Sequence, residues 1–330
     1  MSKTEDTPTC PICGQNGNFL FEVPCDHARP KNSNPYKIYW CAPCNFGFLF
    51  PRPSRDEISE FYKIEYYTHT AEATDNTATQ SFFDRARIHA AWRIDNEDRR
   101  DNDEYFRSLR RSGASILEIG CGNGSNLLRF QAEGFEVTGV EPDKEALSTS
   151  RRQGLTVYDG TAELLPQEIT KNKYDVVLIS HVLEHCLDIR AAVLNARAIL
   201  KQGGYLVIEV PNHQSLGFKE QMGGWPFSDI PRHLNYFTGN SLKKLLMDNN
   251  CEILETRHSG FIHQFSNSWL AHEKKVWNVL HKASDTPEKE PHYKIRAWKL
   301  ILRSMFASRP EKYYSVRVIA RPKKIQSAND

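Results

Sequence analysis

A short apolar run, Ala114 to Ile119, passes directly into Gly120-Cys121-Gly122-Asn123-Gly124. The run has the length and β-branched content of a buried strand. Its glycines let the chain turn tightly and bring bare backbone N–H groups against a ligand. A helix-like stretch follows, then a second strand, Glu136 to Val140, which ends at Glu141. An acid about 20 residues beyond such a loop stands where ribose hydroxyls are held. A glycine-rich loop alone says little. Strand, loop, helix, strand and terminal acid in register restrict the chain to a nucleotide-binding α/β architecture. The plain alternative is a βα turn with incidental glycines, and the elements downstream argue against it.

Lys144 to Gln153 reads as a helix and Leu155 to Tyr158 as a short strand. Tyr174 to Ser180 is a nearly continuous apolar run, as a central parallel strand requires. Ile189 to Leu200 is an amphipathic helix, with Lys201-Gln202-Gly203-Gly204 suited to close it, and Tyr205 to Val210 is the next strand. This alternation specifies a Rossmann-like, doubly wound parallel sheet covered by helices on both faces. Ligands of such sheets lie at the carboxyl ends of the strands, beside the topological switch point.

Two kinds of nucleotide ligand compete for the loop. A dinucleotide needs glycine where Ser125 stands, and Glu118 would repel its pyrophosphate. Glu118 would instead attract the ammonium group of an amino-acid moiety. Acid, Gly-x-Gly-x-Gly and a second acid resemble the loop of the class I S-adenosylmethionine-dependent methyltransferases, and the resemblance runs from about Ser112 to Ser259. It implies that Glu118, Gly120, Cys121, Gly122 and Gly124 line the methionine moiety. It implies that Glu141 binds the ribose, with Pro142 and Asp143 beside it. Gly160-Thr161-Ala162-Glu163 resembles the loop bordering adenine, with Thr161 where many relatives carry Asp. Ser180-His181-Val182-Leu183-Glu184-His185 resembles the segment near the sulfonium.

Four of the eight cysteines make a second signal. Cys10-Pro-Ile-Cys13 and Cys41-Ala-Pro-Cys44 are two C-x-x-C turns with 27 residues between them. Each turn presents two thiolates to one ion, and together they complete a tetrahedral four-thiolate zinc site. With no open coordination position, the zinc is structural. A ribbon this small has too little core to fold without it. Gly14 and Asn45 relax the backbone just past each turn. The alternative, four reduced core cysteines, suits the prolines inside the turns poorly. Cys25, Cys121, Cys186 and Cys251 lack such spacing and read as small buried side chains.

Composition bounds the rest. A net charge of +2 argues against a polyanion as obligatory partner. No apolar run approaches the roughly 20 residues of a membrane span. The polar Met1 to Thr9 is not a signal peptide, and cysteines without one point to metal or buried thiols. The expected location is therefore the cytoplasm. The expected organisation is a zinc ribbon over 1–55, a helical linker and lid over 56–111, and a methyltransferase domain over 112–330. Oligomeric state is left open.

Past the ribbon come Phe48-Leu49-Phe50-Pro51-Arg52-Pro53, a helix from Asp56 to Tyr62, and Tyr66-Tyr67. Phe82 to Arg111 reads as one or two charged amphipathic helices, and Ser284 to Pro291 as an exposed loop. Ribbon, Pro-Arg-Pro and Tyr-Tyr before the domain resemble a bacterial group that includes sugar C-methyltransferases. The resemblance implies that the Tyr66–Tyr67 region helps enclose the acceptor; packing between ribbon and core is the other reading. The acceptor lid is expected at 213–240, rich in aromatics and too long for an ordinary loop. It contains Arg232-His233-Leu234-Asn235-Tyr236-Phe237, similar to a His-Leu-x-x-Phe whose histidine is placed as a base. That group has Tyr and Glu where this chain has Ile230 and Arg232, which turns the expectation away from carbon methylation. Arg232 suggests an anionic acceptor. His233 is the first candidate base, followed by His185, His213 and His181.

The reading is S-adenosylmethionine-dependent methyl transfer to a small acceptor that is sugar-like, phosphorylated or nucleotide-linked. One alternative is an RNA methyltransferase gripping nucleic acid through its ribbon, although no Lys/Arg cluster interleaved with aromatics is present. Another is a non-catalytic binding protein that keeps the cofactor fold; the intact loop with Glu118 and Glu141 argues against it.

Overall fold

The computed structural model describes residues 7–30, 34–61, 81–95, 109, 113–282 and 290–323. Tyr66 and Tyr67, the end of the stretch from Phe82 to Arg111, and most of Ser284 to Pro291 lie outside the described residues. The chain divides into two compact units. One comprises Met1–Asp98, Pro211–Gly239 and His258–Val316; the other comprises Arg99–Val210, Asn240–Arg257 and Arg317–Asp330.

The second unit carries the larger sheet. Its strands are β4 (Ser115–Ile119), β5 (Glu136–Val140), β6 (Val157–Tyr158), β7 (Tyr174–Ser180), β8 (Leu200–Pro211), β10 (Cys251–Ser259) and β11 (Ser315–Pro322), in the order β10-β11-β8-β7-β4-β5-β6. β4, β5, β6, β7 and β8 run parallel. The chain moves outward from β4 to β6, then returns to the other side of β4 to form β7 and β8. The switch point is therefore between β4 and β7, where the Gly120 loop emerges. Apolar runs buried on both faces explain why these strands could be read as unbroken hydrophobic stretches. Ile116, Phe130, Phe135, Val176, Leu178, Val207 and Ile319 form one core layer. Helices Ser125–Ala132, Lys144–Arg152 and Ile189–Ala198 join the strands, the last two started by the side chains of Asp143 and Asp188 accepting from backbone N–H groups of the first turn.

The stretch Lys201-Gln202-Gly203-Gly204 does not close a helix as its composition suggests. The helix stops at Ala198, and β8 begins at Leu200 and runs through all four residues. Gly203 adopts φ +79°, and the pairing to β7 slips between Tyr174 and Val176. The glycines absorb an irregularity in the strand, a second use of the conformational freedom that ends helices.

The first unit holds a four-stranded antiparallel sheet of β1 (Asn18–Val23), β2 (Tyr36–Cys41), β3 (Phe46–Phe50) and β9 (Asn235–Tyr236), in the order β1-β2-β3-β9. The fourth strand comes from the stretch anticipated as an acceptor lid. Helices Arg55–Phe61, Phe82–Ile94, Asn267–Lys282 and Tyr293–Ser304 belong to this unit. Arg87, buried in the second of these, donates to Asp84, to the Phe265 carbonyl and to Asn267, tying the helix to the segment after Gly260. Among the described residues, no helix is long and apolar enough to cross a membrane.

Candidate functional site

In the second unit, four loops leave the carboxyl edge of parallel strands, after β4, β5, β6 and β7. The first turns so sharply at Gly120 (φ +73°) that a Cβ there would stand 2.2 Å from Val182 Cγ2. Gly122 (φ +54°) differs: no described atom lies within 4 Å of the position its Cβ would take, so the loop is bare backbone on that side. Glu141 shapes that face from the end of β5. Its carboxylate accepts from the backbone N–H of Gly122 at 2.8 Å and of Asp143 at 2.9 Å, with Pro142 between.

Glu118 is the electrostatic focus of the unit. It is only 2% exposed, at the end of β4. One oxygen accepts from Asn126 Nδ2 at 2.9 Å; the other, Oε2, is buried with no hydrogen-bond partner among the described residues. Burial, reinforced by the nearby Glu141 charge, pushes its carboxyl up to about 7, against the opposing effects of Asn126 and Arg129. A buried carboxylate with an unsatisfied oxygen is costly unless a cation or donor arrives. An amino-acid ammonium is such a group, so the loop fits the methionine end of S-adenosylmethionine. The sequence does not single out Asn126, because nothing in it marks one helix position as the partner of a strand acid.

The other anticipated residues of this unit lie on the same sheet edge. Thr161 follows β6; its hydroxyl accepts from Leu164 N–H at 3.1 Å, closing a turn that includes Ala162. Ser180 ends β7. His181 follows with φ +55°, its N–H donating to the Glu209 carbonyl and its ring 3.3 Å from the buried Glu184 carboxylate. His185 ends the short 3₁₀ turn Leu183–His185.

In the first unit, the Sγ atoms of Cys10, Cys13, Cys41 and Cys44 all lie within 4.8 Å of one another, with Cys13 and Cys41 3.6 Å apart. Tetrahedral zinc with bonds of ~2.3 Å separates its sulfurs by about 3.8 Å. No disulfide links them. Burial pushes the Cys10 thiol up to about 12 and raises Cys44 too, with neighbouring thiols adding to both. Cys13 moves the other way: against its slight burial, the Gln15 backbone and the neighbouring thiols stabilise its thiolate. One thiolate-prone cysteine among desolvated thiols that ionise readily only on a cation fits one structural zinc. Asn45 adopts φ +50° just past the second turn, as the chain reversal there demands.

The 213–240 stretch is folded, not an open loop. The His213 ring packs edge-on against Phe218, Trp225 and Tyr236 at centroid distances of 4.8, 5.3 and 4.7 Å. Trp225, Phe227, Trp269 and Tyr314 continue this aromatic wall. His233 is buried, and its Nδ1 stands 2.7 Å from the Phe227 carbonyl oxygen. A carbonyl only accepts, so Nδ1 carries the proton and the basic lone pair is on Nε2. Arg232 departs from expectation. Its guanidinium, 2% exposed, donates twice to Asp26 at 3.0 Å and to Asp229 at 2.8 Å. Two internal carboxylates meet its charge, so Arg232 does not supply the cation that an anionic acceptor would need.

Metal analysis of protein purified without chelator should find one zinc per chain, and Cys41→Ser should lose it, because three thiolates leave the tetrahedron open. A full zinc complement in that variant would show that these cysteines are not the ligands.

A family described as "Methyltransferase domain" matches residues 91–256, just over half of the chain. A ubiquinone biosynthesis O-methyltransferase of Bradyrhizobium sp. (strain ORS 278) is 28% identical over 168 residues, covering 48% of this chain and 66% of that protein. Its counterpart in Rickettsia prowazekii (strain Madrid E) is 26% identical over 157 residues, covering 44% and 62%. The chain thus spans less than two thirds of the length of these relatives. A solved S-adenosylmethionine-dependent methyltransferase from Archaeoglobus fulgidus aligns with a TM-score of 0.42 at 18% identity, covering 71% of this chain and 93% of that one. The family match, together with the glycine loop at the switch point and the acids at the ends of β4 and β5, establishes that the chain belongs to the class I S-adenosylmethionine-dependent methyltransferase family.

Proposed function

We propose that this chain transfers the methyl group of S-adenosylmethionine to a hydroxyl of a small, sugar-like acceptor. The observation that carries the cofactor half of this reading is the buried Glu118, with one oxygen on Asn126 and the other without a partner beside the bare face of Gly122. Glu118 holds the ammonium, and Glu141 accepts from the ribose hydroxyls while keeping Gly122 in place. Thr161 and Ala162 border the base; Ser180 and His181 line the loop after β7. S-adenosylmethionine brings a methyl group already activated on a sulfonium. The protein therefore has to position the acceptor and remove its proton.

For oxygen as the receiving atom, support comes from the curated relatives, which are O-methyltransferases. His233 suits proton removal because its Nδ1–H is committed to the Phe227 carbonyl and Nε2 is the basic nitrogen. His185 is the second candidate and Tyr67 a third contributor around the acceptor. Phe227 and Tyr314, the half-buried rings in front of the buried Trp225 and Trp269, suit the apolar face of a ring-shaped acceptor. With Arg232 satisfied internally, a phosphate on the acceptor gains no support from that residue.

Titration calorimetry across pH tests the cofactor half. The ordinary Glu carboxyl titrates near 4.5, and Glu118 is raised to about 7. A raised carboxyl contributes stability that is fully present below its unfolded value and is lost as pH rises through the folded value. Between those values the ligand-free protein therefore loses up to about 3 kcal/mol. A cationic ligand prefers the ionised form, so S-adenosylmethionine should bind about fivefold tighter at pH 7 than at pH 6. Glu118→Gln should bind more weakly and lose this dependence. Equal wild-type affinity at both pH values would remove Glu118 from the site.

Once a hydroxyl acceptor is in hand, His233→Ala should slow turnover by roughly 10²–10⁴-fold while leaving cofactor affinity unchanged. Near-wild-type turnover would exclude His233 as the base.

A further inference from the structure

The segment that carries His233 is fastened at several points to the strands that carry the zinc ligands. β3 starts two residues after Cys44, and β9 pairs with it, Gly47 opposite Tyr236 and Phe48 opposite Asn235. The Asn45 carbonyl, adjoining the last ligand, accepts from Thr238 Oγ1 at 2.8 Å. Leu49 N–H donates to the Leu234 carbonyl at 3.0 Å. Arg52 reaches the same carbonyl at 2.9 Å and Asn235 Oδ1 at 3.0 Å. The rings of Phe46 and Phe237 meet at 5.0 Å. Gly47 makes the approach possible, since a Cβ there would stand 2.9 Å from Tyr236 Cβ and 2.8 Å from the Trp40 ring. On the other side of His233, Arg232 grips Asp26, which follows Cys25 just after β1, and Asp229, whose carbonyl accepts the His233 N–H at 2.9 Å.

We propose that the zinc ribbon is the template on which the acceptor segment 227–238 is shaped, so that metal occupancy holds His233 in place without entering the chemistry. The inference rests on the reading of 227–238 as part of the acceptor site. Four cysteines at the ends of two turns fix where β2 ends and β3 begins. β9 is two residues long and owes its position to β3. A strand so short has no independent stability. Without the metal the ribbon loses its main source of order. The segment around His233 should then loosen with it, whereas the β4 loop has its own core in the second unit. Asn45, Gly47 and Asp26 are on this view positioning residues for His233.

Amide hydrogen exchange on the full-length protein before and after zinc chelation tests this, with calorimetry of S-adenosylhomocysteine on both forms. Chelation should raise exchange at 36–50 and at 227–238 together by about tenfold or more, while β4 to β8 keep their protection and the affinity for S-adenosylhomocysteine stays within about twofold. Gly47→Ala, which leaves every metal ligand in place, should keep its zinc and still raise exchange at 234–238. Unchanged protection of 227–238 in zinc-free protein would overturn the inference. So would loss of protection in β4 to β8, because zinc would then support the whole fold. If neither form binds S-adenosylhomocysteine, the proposed function fails, and the exchange data still decide the role of the ribbon.

Discussion

The buried Arg232 is the interaction on which the first unit depends most. A guanidinium this enclosed is tolerable only if every face of its charge is met. Asp26 takes two of its N–H groups and Asp229 another. Burial alone would raise the Asp229 carboxyl, but Arg232, with His233 and His27 nearby, outweighs it and holds that group well below the usual range. Removing one partner from such a cluster typically costs about 3–5 kcal/mol, because the remaining charge is stranded. The cluster thus links residues far apart in sequence, one after β1 and the others in the turn before His233. The β3–β9 pairing joins the ribbon strands to the stretch just after His233.

The second unit handles charge in the opposite way. Glu118 has one oxygen on Asn126 and one without a partner among the described residues, and the nearby loop is bare backbone at Gly122. Arg232 is closed on itself and builds structure. Glu118 keeps one buried oxygen without a partner among the described residues, as the proposed ammonium site requires. This contrast separates a structural ion cluster from a binding site more firmly than burial does, since both residues are only 2% exposed. It also explains why Arg232, suggestive of an anion site by residue type, does not serve as one.

Much of the second unit is legible in the sequence. β5 and β7 are read to the residue: β7 is a nearly continuous buried apolar run, and β5 is located by its distance from the glycine loop and its terminal acid Glu141. The Cys10–Cys13 and Cys41–Cys44 turns are equally plain, since thiolate spacing is set by the metal. What escapes has a physical reason in each case. Asn235–Tyr236 is too short to carry a period, and its pairing with β3 depends on a partner remote in sequence. Lys201 to Gly204 looks like a helix end because glycine serves bulges and helix ends alike. Asp26 and Asp229 look like ordinary polar residues until Arg232 is buried between them. Asn126 becomes significant only when the helix turns its amide toward Glu118. Tyr67, suggested by resemblance, falls outside the described residues.

Mapping S-adenosylhomocysteine by amide hydrogen exchange on the intact protein tests the cofactor assignment most directly. Residues 118–126, 141–143 and 160–163 should gain protection on saturation, because they carry Glu118 with Asn126, the ribose acid and the loop after β6. Protection confined to other segments, or no protection at saturating ligand, would contradict the assignment of this loop as the cofactor site.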